Sequence, residues 1–325
     1  MFPNNHEPTY RYLPSTVKLK INLDIDFFQN LKFDEASLKQ YRIDAAIRCV
    51  ETLGKKPALC FSGGVDSQAL VQCFNEANID IDIFTLEFKN NLNSHDIHDA
   101  KNYAEKNNIK INYVPLDVLN FLSRENLTYG EKYRSLSPHF NTHYKLCDIL
   151  IKEGYTGFVF GGNAPMLTEN LNEWDANYSG NLLNYINYTR VSNVMCQGNF
   201  LGFDPYLAWS TALLTSSQEF RQSGMLLTDK ERTLHEFIRY ENRINGYKKA
   251  GFNIIPQSQK YTGFELVKKY LEEKTGDGWT FERLYRFPLE NKLGPSNIVK
   301  LFFYADKEIQ ELLKSINLDN LGSCN

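Results

Sequence analysis

The stretch Ala58-Leu59-Cys60-Phe61-Ser62-Gly63-Gly64-Val65-Asp66-Ser67-Gln68-Ala69-Leu70 breaks an apolar run with Ser-Gly-Gly and restarts it at once. A strand that ends this way and feeds straight into a helix makes an anion site. The glycines let backbone N–H groups turn toward one point and let a ligand approach the main chain. The helix that follows adds its unpaired N-terminal amides and the positive end of its dipole. Ser62 and Ser67 place hydroxyl donors on either side, a geometry that suits a phosphate group. Asp66 is the informative exception, because a carboxylate beside phosphates repels them unless a divalent cation sits between. Magnesium does this through one or two carboxylates plus phosphate oxygens. The loop therefore predicts a nucleotide with Mg2+. The plain alternative is an ordinary strand–turn–helix connection in which Asp66 only caps the helix. Other phosphate loops fit less well: no lysine completes a G-x-x-x-x-G-K pattern, and G-x-G-x-x-G is not matched.

Working outward, the pattern alternates strand and helix. Val17–Ile21 alternates apolar and polar residues like a half-exposed strand. A helix is expected from Asp34 to Leu53, a strand over Ala58–Phe61 and a helix from Val65 to Asn75. Ile79–Phe88 reads as the next strand, Ser94 as the N-cap of a helix through Asn107, and Ile109–Pro115 as a third strand. Ser137 and Pro138 open a helix that Gly154 ends, and Thr156–Phe160 is a strand running into Gly161-Gly162. This order predicts an α/β fold with a parallel sheet covered by helices on both faces.

Residues 163–200 are rich in Asn, Tyr and Trp and read mostly as loops. Helical signals return at 206–222. Capping boxes follow at Thr228–Glu231 and Thr262–Glu265, the second opening a helix that ends near Gly276. The expected organisation is an extended arm at 1–34, a nucleotide domain at 35–165 and a mainly helical C-terminal region at 166–325 that binds substrate.

Composition narrows the class. The 325 residues are 42% hydrophobic and 23% charged, with a formal net charge of -3, the balance of a globular chain with no basic run. That counts against a dedicated nucleic-acid binder. The start MFPNNHEPTYRY has no apolar core of signal-peptide length and no later segment approaches a membrane span, so the expected location is cytoplasmic, with no membrane partner. The six cysteines are scattered without a C-x-x-C pair and read as buried, reduced thiols.

Phe61-Ser62-Gly63-Gly64-Val65-Asp66-Ser67 resembles the SGGxDS pyrophosphate loop of the N-type ATP pyrophosphatases, the PP-loop superfamily, and looks most like the synthetase domain of asparagine synthetase. The resemblance covers about residues 35–165. It implies an adenine nucleotide alpha hydrolase-like (HUP-type) fold, ATP and Mg2+ as cofactors, and an AMP- and pyrophosphate-forming carbon–nitrogen ligase. It places Ser62, Gly63, Gly64 and Ser67 around pyrophosphate, with Phe61 and Val65 beside them. Asp66 is placed on the metal, Leu86, Glu87 and Phe88 at the adenosine, and Gly161 and Gly162 in a second glycine-rich loop. Lys260 stands where a phosphate-binding lysine would be.

Two departures follow from the same comparison. Asparagine synthetase has an acidic pair after its second glycine loop, whereas Gly162 is followed here by Asn163-Ala164-Pro165; Glu169, Glu173 or Asp175 would have to substitute. That module's glutaminase half starts at a catalytic cysteine, and this chain begins Met1-Phe2-Pro3. Nitrogen would then come from ammonia, an amine-bearing substrate or a separate donor protein. Sulfur transfer is disfavoured because no cysteine pair is placed for it.

For the remaining candidates the plainer reading stands beside the functional one. His139 and His143, one turn apart, have metal spacing but lack an acidic partner, so a solvated or capping role is expected. Arg134, Arg283 and Arg286 fit surface ion pairs as well as substrate contacts, and Trp174 and Tyr178 fit packing as well as a pocket wall. The leading expectation is a ligase that adenylates a carboxylate or carbonyl oxygen of an unidentified acceptor for attack by nitrogen. The alternatives are an adenylating enzyme acting on tRNA or another nucleobase, or an ATP-binding protein without turnover.

Overall fold

The computed structural model describes residues 16–22, 24–162, 167–170, 173–176, 179–215, 241, 243–257, 263–294, 298–304, 308 and 312. Its centre is a five-stranded sheet in the order β4-β3-β2-β5-β8, formed by β2 (Pro57–Cys60), β3 (Asp82–Phe88), β4 (Asn112–Leu116), β5 (Gly157–Phe160) and β8 (Met195–Gln197). Every pairing in it is parallel. The α/β reading is therefore correct.

The register shows how the sheet is covered. Leu59 lies opposite Ile83 and Val159, and Cys60 lies opposite Phe84 and Phe160. The first row packs with α2 (Glu35–Thr52) and α3 (Val65–Glu76); the second packs with α7 (Pro138–Lys152) and α8 (Ser179–Ser192). Both faces are buried, which is why β2 and β5 read as unbroken apolar runs. Each fully buried Leu or Phe contributes about 1.5–3 kcal/mol relative to exposure.

Chain order positions the site. From β2 the chain passes outward to β3 and β4, then returns to pair β5 on the other side of β2. Strand order reverses between β2 and β5, and in open parallel sheets ligands bind at the carboxyl ends of the strands flanking such a point.

Several local expectations need correction. The helix α4 (Ser94–Asn107) starts at Ser94, with Asn93 in the cap position, and no side chain caps it because the Asn93 amide bonds the end of β3. Between β4 and α7 lie two short helices, α5 (Val118–Arg124) and α6 (Asn126–Tyr133). The stretch read as loops contains a hairpin, β6 (Leu167–Asn170) with β7 (Glu173–Ala176), then α8 and β8. Exposed Ile186 and Val191 blur the apolar stripe of α8, so it lacks the period that marks a helix.

The fifth strand of the central sheet thus lies beyond residue 165. A second sheet, β1-β9-β7-β6, joins β1 (Thr16–Asn22) in parallel to β9 (Ile298–Tyr304). The region after residue 165 therefore contributes strands as well as α9 (Pro205–Thr215), α10 (Glu265–Thr275) and α11 (Phe287–Leu293). In α10, Phe264 holds the cap position and Gly276 closes the end with φ 71°. Thr262 and the 228–231 box lie outside the described residues. Among the described residues no helix is long and apolar enough to cross a membrane.

Candidate functional site

A cavity of about 450 Å³ opens at the carboxyl ends of β2, β3 and β5. Its floor at one end is the Ser62–Ser67 bend. Gly63 has φ 76°, and a Cβ there would lie 2.8 Å from the Ala100 amide nitrogen of α4, so only glycine fits. Gly64 occupies the N-cap of α3 and supplies no capping side chain. The first-turn amides of α3 therefore remain available to an anion. Ser67 Oγ donates to the Gly64 carbonyl at 2.8 Å and stands 3.3 Å from Ser62 Oγ, which draws the two hydroxyls to the same side.

The pairing of β5 with β2 brings the second glycine loop to the same place. A Cβ on Gly161 would lie 2.7 Å from the Asp66 carbonyl oxygen and 2.9 Å from the Ser67 nitrogen. Gly161 is thus required because its backbone abuts the first turn of α3. Gly162, with φ 72°, packs against Asn199. Phe61, Ser62, Gly64, Val65, Asp66, Ser67, Gly161 and Gly162 all border the cavity.

Asp66 sits in the first turn of α3 but does not cap it. Its Oδ2 is 3.2 Å from Arg243 Nη1, and its Oδ1 accepts a hydrogen bond from the Tyr247 hydroxyl. Burial, reinforced by the Asp66 charge, pushes the Tyr247 phenol well above its usual range, so it remains a donor. Asp96 of α4 is the second carboxylate bordering the cavity. Carboxylates and serine hydroxyls form a hard oxygen donor set of the kind magnesium takes together with phosphate oxygens. Among the described residues no group of three His, Cys, Asp or Glu side chains is arranged to hold a metal.

At the end of β3 the structure adds an unexpected partner. Asn93 Oδ1 accepts from the Phe88 N–H and its Nδ2 donates to the Leu86 carbonyl, both at 2.8 Å. The main-chain edge assigned to adenosine is thus closed by a side-chain amide. Leu86 and Phe88 still border the cavity, whereas Glu87 does not.

Another part of the cavity wall is aromatic. His143 of α7 has its Nδ1 2.6 Å from the Tyr185 hydroxyl and stacks on Phe160 with ring centres 4.9 Å apart. His139 meets His143 edge-on at 4.3 Å. Both histidines border the cavity and are half-buried, and the hydrogen bond and stacking of His143 give it a packed role in place of the solvated or capping one expected. The arginine expectations resolve differently: Arg134 is exposed, Arg283 pairs with Asp277 at 2.9 Å, and Arg286 pairs with Glu290 at 2.9 Å.

The fold also brings together cysteines that are far apart in sequence. Cys60, Cys147 and Cys196 lie in one buried cluster, and burial pushes the Cys147 and Cys196 thiols up. Buried, protonated thiols are poor nucleophiles. Lys260, Asn163–Pro165 and Tyr178 lie outside the described residues. Glu169, Glu173, Trp174 and Asp175 belong to the β6–β7 hairpin, of which only the backbone is described.

Arg243, Tyr247, Gln257, Asn93 and Asp96 escaped sequence reasoning. One signal was present: Gln68 and Gln72 fall one turn apart and flank the apolar run Ala69-Leu70-Val71 of α3. A buried Gln68 and a half-buried Gln72 at that spacing call for polar partners, and the segment 251–257 supplies them.

No protein-family model matches the sequence. A comparison with curated proteins likewise finds no match. Among solved structures the chain is similar to a U34-tRNA thiolase, NcsA, from Methanococcus maripaludis with its 4Fe-4S cluster. The identity is 13%, the TM-score is 0.31, and the match covers 82% of this chain and 81% of that one. A superposition at that level carries no functional argument.

Proposed function

We propose that this chain binds ATP with magnesium at the Ser62–Ser67 bend and splits it into AMP and pyrophosphate while adenylating an acceptor. One observation carries the reading. The uncapped first turn of α3, both glycine loops and Asp66 converge where strand order reverses. Magnesium would be held by Asp66, with Asp96 in reach of the same cavity, and would supply charge neutralisation on the leaving group.

The amides of α3 and the Ser62 and Ser67 hydroxyls hold the β- and γ-phosphates. An acceptor carboxylate or carbonyl oxygen attacks the α-phosphorus. The bond from that phosphorus to the bridging oxygen breaks, and pyrophosphate leaves with the electron pair. A nitrogen nucleophile then attacks the activated carbon and expels AMP, giving a new carbon–nitrogen bond. The protein's share is positioning and electrostatic stabilisation of the departing charge. Ammonia, an amine or a donor protein supplies the nitrogen, as in an asparagine-synthetase-like ligase, and a cytoplasmic setting suits the reduced thiols.

A second reading concerns the acceptor. The wall of Phe140, His143, Phe160 and Tyr185 favours a flat ring, so an adenylated nucleobase competes with a carboxylic acid. Incubation with MgATP and each acceptor class, followed by product analysis, separates these readings. AMP and pyrophosphate are expected; ADP with phosphate contradicts the reaction. Binding to nucleic acid that weakens steeply with salt supports the nucleobase acceptor.

A further inference from the structure

The segment that carries Arg243 is built onto α3. Gln68, 1% exposed, donates through Nε2 to the carbonyls of Gly63 at 2.9 Å and Ile255 at 3.1 Å, and its Oε1 accepts from the Ile255 N–H at 2.8 Å. One turn on, Gln72 accepts from the Asn253 N–H at 2.7 Å and donates to the Gly251 carbonyl at 3.1 Å. Two side-chain amides thus bond the strap as a neighbouring strand would. Beneath it the buried Arg42 pairs with Glu76 at 2.7 Å, donates to the Ala250 carbonyl and lies over the Phe252 ring. At the far end Gln257 donates to the Gly63 carbonyl, so the strap closes on the anion loop itself.

We propose that Arg243 is a phosphate-contacting residue that exchanges Asp66 for a phosphate oxygen when a metal-bound nucleotide enters. This rests on the ATP reading above and deepens it. Among the described residues bordering the cavity, Asp66 and Asp96 are the carboxylates and Arg243 is the one lysine or arginine. A triphosphate adds further negative charge, and a magnesium ion on Asp66 would compete for the carboxylate that now pairs with Arg243. The planar fork of arginine matches phosphate oxygens, and its charge-assisted hydrogen bonds are the strong kind. Arg243 reaches the first turn of α3, the place where the amides point. Tyr247, one turn further along the same helical segment and 0% exposed, grips the other Asp66 oxygen and is a positioning residue.

The alternative is that Arg243 only neutralises Asp66. Titration with metal-free ATP in a chelator, in an Asp66→Asn background, separates the two. The Asp66→Asn variant should bind at least as tightly as the wild type, because a repelling charge is gone. Adding Arg243→Gln should then weaken binding about 10–100-fold, the range of a charge-assisted hydrogen bond. Should that protein fail to fold, Asp66→Asn with Arg243→Lys decides, with a fall of about threefold to tenfold expected from losing the fork. Unchanged affinity on altering Arg243 in the Asp66→Asn background overturns the inference and leaves the ATP reading intact. A wild type that binds no ATP with or without magnesium overturns both.

Discussion

The two ends of the cavity are built on different principles. At the phosphate end, polar groups of the main chain do the holding, and glycine is obligatory where backbones touch. At the α7 end, side chains do the holding: His143, Phe160 and Tyr185 stack, and one imidazole–phenol hydrogen bond fixes their order. On the proposed reading the first end takes a nucleotide's charge and the second a ring or an apolar part of the acceptor. Recognition of ATP and of acceptor should therefore fail separately.

That separation can be tested from its hardest point. Gly161→Val puts a branched side chain where 2.7 Å separates the site of a Cβ from the Asp66 carbonyl oxygen. It should cost about 3 kcal/mol in a denaturant melt, the upper range for overpacking, and abolish ATP binding. A variant that melts normally and binds ATP breaks the claim that this end is a close backbone contact.

Asn93→Ala tests the border between the two ends. It leaves the Leu86 carbonyl and Phe88 N–H without their amide, and should cost about 2 kcal/mol as buried groups lose their partner. If Asn93 is only structural, metal-bound ATP affinity should track this loss. An affinity that rises instead would show that the amide occupies the edge a purine uses.

Tyr185→Phe is the mildest change. Losing the hydroxyl that meets His143 should cost about 1 kcal/mol of stability and leave ATP affinity within about twofold, while KM for the acceptor rises. A matching loss of ATP affinity would merge the two ends into one.

What could be read in advance follows the same division. The shape of the Ser62–Ser67 bend was legible because strand, turn and helix are contiguous, so local backbone chemistry alone leaves the first-turn amides of α3 without a capping side chain. Gly161 and Gly162 could be found as a loop, but their reason, contact with the first turn of α3, required the pairing of β5 with β2. Arg243 and Tyr247 reach Asp66 across 177 and 181 residues, and the glutamines of α3 hint only at a polar partner, not at which residues reach Asp66. His143 looked solvated because a histidine pair without an acidic partner carries no sign of the tyrosine 42 residues away. Asn93 shows a subtler limit: a residue favoured at caps and turns spends its side chain on the end of the preceding strand.

The central claim is that the bend between β2 and α3, with Asp66, holds the diphosphate as it departs. Exchange of labelled pyrophosphate into ATP, measured with magnesium and acceptor for wild type and Asp66→Ala at matched folded concentration, tests it directly. The wild type should exchange, and the variant should do so at least about 100-fold more slowly, as when an electrostatic contact to a leaving group is removed. Equal exchange rates in the two proteins would contradict the account.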